Sequence, residues 1–166
     1  MKLCYENAKR LEIEAVKAFN NRLGTSSYLM GFYSWEEIGK AVLILDHHNE
    51  DFITKKMWKD SYCHFIKIAK ARRAIDLSLM ASQGLEPEYI EKFRKGEYEL
   101  VSDEEFLEKM HDLRTKGLYI HYNFNENKWE IPTIITDELA ITVINQAGLA
   151  VRAFEIELDR TGIKLE

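Results

Sequence analysis

Residues 25–48 read TSSYLMGFYSWEEIGKAVLILDHH, and the spacing of their apolar side chains decides the fold. Tyr28, Phe32, Trp35, Ile38, Val42 and Leu45 recur at intervals of three and four, the mark of one continuous face of an α-helix. Thr25, Ser26 or Ser27 is available to cap its first turn. A helix this apolar belongs at the centre of a bundle, so its neighbours are expected to carry matching stripes.

Upstream, residues 2–21 place Leu3, Ala8, Leu11, Ala15, Ala18 and Phe19 on one helical stripe, with Gly24 expected to end it. Downstream, Thr54 can cap a helix running to about Gln83, in which Trp58, Tyr62, Phe65 and Ala69 fall at core spacing and Gly84 and Pro87 close the pattern. Residues 84–101 are less periodic and read as a connection with one short helix, PEYIEKFRKG. Ser102 and Glu105 form a capping box for a helix containing Phe106, Leu107, Met110 and Leu113, which fades near Gly117. The stretch LYIHYNFNENKWEIP, 118–132, alternates large residues about an Asn-rich turn and reads as a small hairpin or extended excursion. Thr136 then caps a last helix, with Asp137 and Glu138 in its first turn and Leu139, Val143, Ala147, Ala150 and Phe154 on its apolar stripe. Short connections favour antiparallel neighbours. The expectation is an all-α antiparallel bundle of four to five helices, a single domain over residues 1–166, with the excursion near 118–132.

Composition agrees. A chain of 166 residues with 46% hydrophobic and 31% charged residues and two prolines has the make-up of a packed helical protein. At that length about 70% of the unfolded chain's surface is buried on folding. The net charge of −5 argues against binding nucleic acid over the whole surface, so charge has to be read by segment. Cys4 and Cys63 lack metal-ligand spacing, and MKLCYENAKRLEIEA carries charges where a signal peptide needs an apolar run; a reducing cytoplasm is the expected compartment. No stretch approaches about 18 consecutive apolar residues, so no membrane association is expected.

Several constellations carry potential chemistry. In SWEEIGKA, Glu36 and Lys40 stand i,i+4 and Glu37 and Lys40 i,i+3, which by spacing alone is a surface ion pair worth about 0.3–0.5 kcal/mol. Residues 55–73 hold Lys55, Lys56, Lys59, Lys67, Lys70, Arg72 and Arg73 against one acid, Asp60. Interleaved with Trp58, Tyr62 and Phe65, they form either a cationic ridge for RNA or a solvated basic face behind core aromatics. His64 lies in the same run. His47 and His48 near Asp46, Glu50 and Asp51 resemble a metal-binding composition without its geometry, and neither a metal nor a cofactor is expected.

In LRTKGLYIHY, 113–122, Arg114 precedes His121 by seven positions. Cleavage of an RNA backbone by the adjacent ribose 2′-hydroxyl needs a group that moves protons near neutral pH and a cation on the phosphate; histidine and arginine supply them. A continuous helix over this interval turns about 700° and rises about 10.5 Å, which leaves both side chains on one face. An extended chain separates them by about 23 Å on opposite faces.

SWEEIGKA, MWKDSYCHFIKIAK, LRTKGLYIHYN with KWEIPTIIT, and the terminal amphipathic helix together resemble the AbiV-type abortive-infection family, a branch of the HEPN superfamily, from about residue 5 to residue 158. The resemblance implies a helical bundle, commonly a homodimer, connected with phage defence. It implies RNA as substrate and a metal-independent endoribonuclease, with Arg114 holding the scissile phosphate and His121 as general acid or base. Glu37 and Lys40 match the family's polar pair in the second helix, His64 and Lys67 its third-helix motif, and Tyr119 lies beside the arginine–histidine pair. Lys59, Lys70, Arg72 and Arg73 are the candidate RNA contacts. Two other roles fit the resemblance: a non-catalytic dimer that binds a phage or host protein, and a substrate-binding partner of a nucleotidyltransferase.

Overall fold

The computed structural model describes residues 1–48, 54–84, 86, 88, 92, 108, 111–112, 114–115, 121–123, 125–130 and 135–165, with backbone alone at 121–123 and 130. Among them are five helices and one hairpin: α1 (Lys2–Asn20), α2 (Gly24–Asp46), α3 (Lys55–Tyr62), α4 (His64–Ser82), β1 (His121–Asn123), β2 (Lys128–Glu130) and α5 (Asp137–Thr161). The fold is the all-α bundle that the sequence predicts.

α2 is its axis. Tyr28, Phe32, Trp35, Ile38, Val42 and Leu45 are all buried, and α1, α4 and α5 pack around them. Small residues set the spacing. Ala8, Ala15 and Ala18 are buried on α1, Ala71 and Ala74 on α4, and Ala140, Ala147 and Ala150 on α5. Ser34 donates its hydroxyl to the Ala8 carbonyl at 2.8 Å, which satisfies a buried polar group across the α1–α2 interface. Leu3, placed on the α1 stripe by spacing, is exposed instead.

The helix ends are set by local chemistry. α1 stops in a Schellman turn: Leu23 N–H bonds Ala18 O at 2.9 Å and Arg22 N–H bonds Phe19 O at 2.8 Å, with Arg22 at φ 60°. Gly24, expected to end α1, opens α2, and none of Thr25, Ser26 or Ser27 caps it. Thr54 and Thr136 do cap, accepting from Met57 N at 3.1 Å and Leu139 N at 3.3 Å. Gly84 and Gly162 follow α4 and α5 at positive φ. Among the described residues α5 alone is long and apolar enough to cross a bilayer, yet its inner stripe of Ala140, Val143, Ala147, Ala150 and Phe154 packs in the bundle core.

The segment predicted as one helix from Thr54 to Gln83 is two. Cys63, extended at φ −77° and ψ 115°, ends α3 and precedes α4. The break undoes the expected core stripe: Trp58, Tyr62 and Phe65 are exposed, and Met57, Ile68, Ala71, Ala74 and Ile75 take the buried positions. The hairpin is present, with His121 opposite Glu130, Tyr122 opposite Trp129 and Asn123 opposite Lys128, and Asn127 at φ 51° in its turn. The expected helices beginning at Pro87 and Ser102 fall mostly outside the described residues.

Candidate functional site

The site begins at the α2–α4 crossing. A β-carbon at Gly39 would stand 1.9 Å from the Lys67 carbonyl oxygen and 2.4 Å from its carbon, so the two backbones touch there. Glu36 lies one turn earlier on α2, and the contact brings Lys67 and His64 of α4 over it. Lys67 Nζ donates to Glu36 Oε2 at 2.8 Å, and both side chains are buried. His64 Nδ1 meets Glu36 Oε1 at 2.5 Å. That bond fixes the proton of the neutral ring on Nδ1 and leaves Nε2 as the acceptor.

Arg114, on helical backbone, enters from the other side. Its Nε is 3.8 Å from Glu36 Oε1, and its guanidinium lies over the rings of Tyr33 at 5.4 Å and Phe32 at 5.8 Å. Only 15% of its side chain is exposed. The buried Nε has no hydrogen-bond partner among the described residues. Glu36 Oε1, at 3.8 Å, holds it at ion-pair rather than hydrogen-bond distance. Two cations and one carboxylate leave the cluster with a net positive charge before the histidine is counted.

His64 stands at the rim, one third exposed. Burial lowers its pKa below the ordinary value; Glu36 opposes the shift, and Arg114 and Lys67 add to it. The ring is thereby held neutral at physiological pH. Beside it is His111, its ring centroid 5.7 Å from that of His64 and stacked on Phe65 at 5.0 Å. The Thr115 hydroxyl donates to the His111 carbonyl at 3.0 Å, one turn of helix that also carries Arg114.

The helical bundle is of the HEPN type. The model of the AbiV family of that class matches residues 1–152, and the chain belongs to this family. No curated protein and no solved structure matches it.

The predicted residues divide into separate groups. Arg114, His64 and Lys67 gather on Glu36. Glu37 and Lys40 form an ion pair of their own, with Glu37 turned toward Cys4 of α1; burial and then Glu37 push the Cys4 thiol pKa up. Glu36, read from spacing as half of a surface pair with Lys40, is instead the buried centre. His121 opens β1, so the interval from Arg114 is not one continuous helix; its side chain, like Tyr119, lies outside the described residues. Among the candidate RNA contacts, Lys70 and Arg73 both pair with Asp46, and Arg72 pairs with Asp76 at 3.2 Å. Lys59 is exposed on α3. Asp46 is thus engaged by cations, and His48 Nδ1 contacts Leu45 O at 2.8 Å.

Sequence reasoning missed Glu36 and His111, and a signal existed for each. With about 100° per residue, Glu36 falls about 40° from Phe32 on the apolar face of α2, whereas Glu37 falls about 140° away. His111 precedes Arg114 by three positions, the spacing of neighbours on one helix face.

Proposed function

We propose that the protein acts in abortive infection, the phage-defence role that AbiV membership suggests, by cleaving RNA at the Glu36-centred cluster. The observation that carries this reading is the His64–Glu36 bond with Lys67 and Arg114 at the same carboxylate. It combines a neutral imidazole of fixed tautomer with two cations held at one carboxylate.

The ribose 2′-oxygen attacks the adjacent phosphorus and its proton passes to His64 Nε2. The bond from phosphorus to the 5′-oxygen breaks, and that oxygen takes a proton from a second acid; His111 is the described residue placed for it. The products are a 2′,3′-cyclic phosphate and a 5′-hydroxyl. Glu36 stabilises the imidazolium that forms, and Arg114 and Lys67 offset the charge growing on the phosphate. The substrate supplies its own nucleophile, so the scheme needs no bound metal.

The test is incubation of purified protein with single-stranded RNA in excess chelator, with cyclic-phosphate ends scored. The wild-type chain should cleave, and His64→Ala should lose about 10²-fold or more. Equal cleavage by the two proteins, or none by the wild type, overturns the reading.

A further inference from the structure

The chemistry proposed at Glu36 leaves the aromatic face of α3 unused. Trp58 and Tyr62 are 57% and 64% exposed and meet edge to face at 5.2 Å. Phe65, 38% exposed, lies two residues past the Cys63 break and stacks on His111, which borders His64. Exposed aromatic rings thus stand both on α3 and at the rim of the Glu36 cluster.

The charge of α3 has a direction as well. Met57 is the buried anchor of α3. At about 100° per residue, Lys55, Lys59 and Tyr62 stand within about 40° of the pole opposite Met57, with Trp58 about 40° beyond Tyr62. Lys55 and Lys59 are exposed, as is Lys56 at the flank, while Asp60 lies toward the Met57 side. Aromatic rings between outward lysines suit a ligand that alternates flat apolar faces with anionic groups. A second copy of this chain suits the face less well, because a two-fold contact sets lysines against lysines.

We infer that this face is a docking surface for single-stranded RNA, whose bases stack on Trp58, Tyr62 and Phe65 while Lys55 and Lys59 meet its phosphates. The inference rests on the proposed RNA chemistry and extends it: the aromatic face holds the strand that the Glu36 cluster cuts. Stacking takes any base, so docking is single-strand specific and tolerant of sequence.

The experiment measures binding of a labelled 2′-O-methyl RNA decamer, which lacks the attacking hydroxyl, by fluorescence anisotropy against salt. Trp58→Ala/Tyr62→Ala should weaken binding by about tenfold or more, Trp58→Phe should bind like wild type, and Lys55→Glu/Lys59→Glu should weaken binding and flatten its salt dependence. The melting temperature should not move, since these side chains are exposed. Binding by Trp58→Ala/Tyr62→Ala within twofold of wild type overturns the inference, as does a wild-type protein that binds no decamer. A change of mass in light scattering without a change in RNA affinity also overturns it and assigns the face to self-association. Cleavage of unmodified RNA by His64→Ala is scored in parallel: loss there with normal docking by the aromatic variant sinks the docking surface alone, and retained cleavage with weakened docking sinks the proposed chemistry alone.

Discussion

The carbonyl oxygen of Lys67 lies 1.9 Å from the point where a β-carbon on Gly39 would stand. Three residues earlier on the same helix, Glu36 receives the Lys67 ammonium at 2.8 Å. The absence of one side chain and the presence of a buried ion pair are therefore parts of a single contact. The helices must touch at Gly39 for Lys67 and His64 to reach Glu36 together.

Gly39→Ala should consequently disturb both stability and site. Backbone atoms of α4 have to retreat, which costs about 2 kcal/mol or more, as overpacking does. Urea denaturation measures the loss, and RNA cleavage should fall in the same variant. A stability within about 0.5 kcal/mol of wild type would show that the crossing is looser than described.

Lys67→Met leaves Glu36 buried with less compensation and should destabilise by about 3–5 kcal/mol. The double variant Glu36→Gln/Lys67→Met should recover part of that loss, because the uncompensated carboxylate is gone. The recovery will be incomplete, since Arg114 and His64 then face a neutral amide in place of a shared carboxylate. Additive losses in the double variant would contradict a direct pair.

The pH dependence follows from His64. Its folded-state pKa is lowered, so cleavage that uses the neutral ring should rise with pH through a midpoint below about 6.5, the ordinary histidine value. Glu36 acts to raise that pKa; Glu36→Gln should move the midpoint lower still. Stability carries the matching sign: the unfolded chain takes the proton first, so the contribution of neutral His64 is full above about pH 6.5 and is lost as pH falls toward the folded value. A rate midpoint above that of free histidine would exclude His64 as the base.

His111→Ala should slow cleavage by about 10²–10⁴-fold. If its role is to protonate the departing oxygen, an RNA whose scissile link carries sulfur at the 5′ bridging position should be cut almost normally by the variant, because a thiolate leaves without a proton. His121→Ala, compared on both substrates, tests the arginine–histidine pairing that the family resemblance suggests. A His111→Ala protein equally slow on the sulfur substrate would assign the ring to structure.

The α2 helix was legible because its whole apolar stripe repeats at helical spacing, and the caps at Thr54 and Thr136 were legible because a hydroxyl three residues before an orphan N–H is a local device. The break at Cys63 was not: no glycine or proline marks it, and a pattern continued through it puts Trp58, Tyr62 and Phe65 in a core they do not enter. The choice between Glu36 and Glu37 was hidden for another reason. Both lie within reach of Lys40, and the rule that carboxylates face water favoured the wrong one as a surface residue. Partners 28 and 31 positions away along the chain reverse that preference, and local spacing has no access to them.

α3 has eight residues and one buried side chain, Met57. An isolated helix of that length does not persist in water, where about 12–15 residues are needed, and burying one methionine contributes only about 1.5–3 kcal/mol. The segment therefore opens at a small fraction of the cost of unfolding the bundle. Cys63 is then a pivot between the packed bundle and a short arm, so the exposed rings of Trp58 and Tyr62 can shift their position without disturbing the contacts at Glu36.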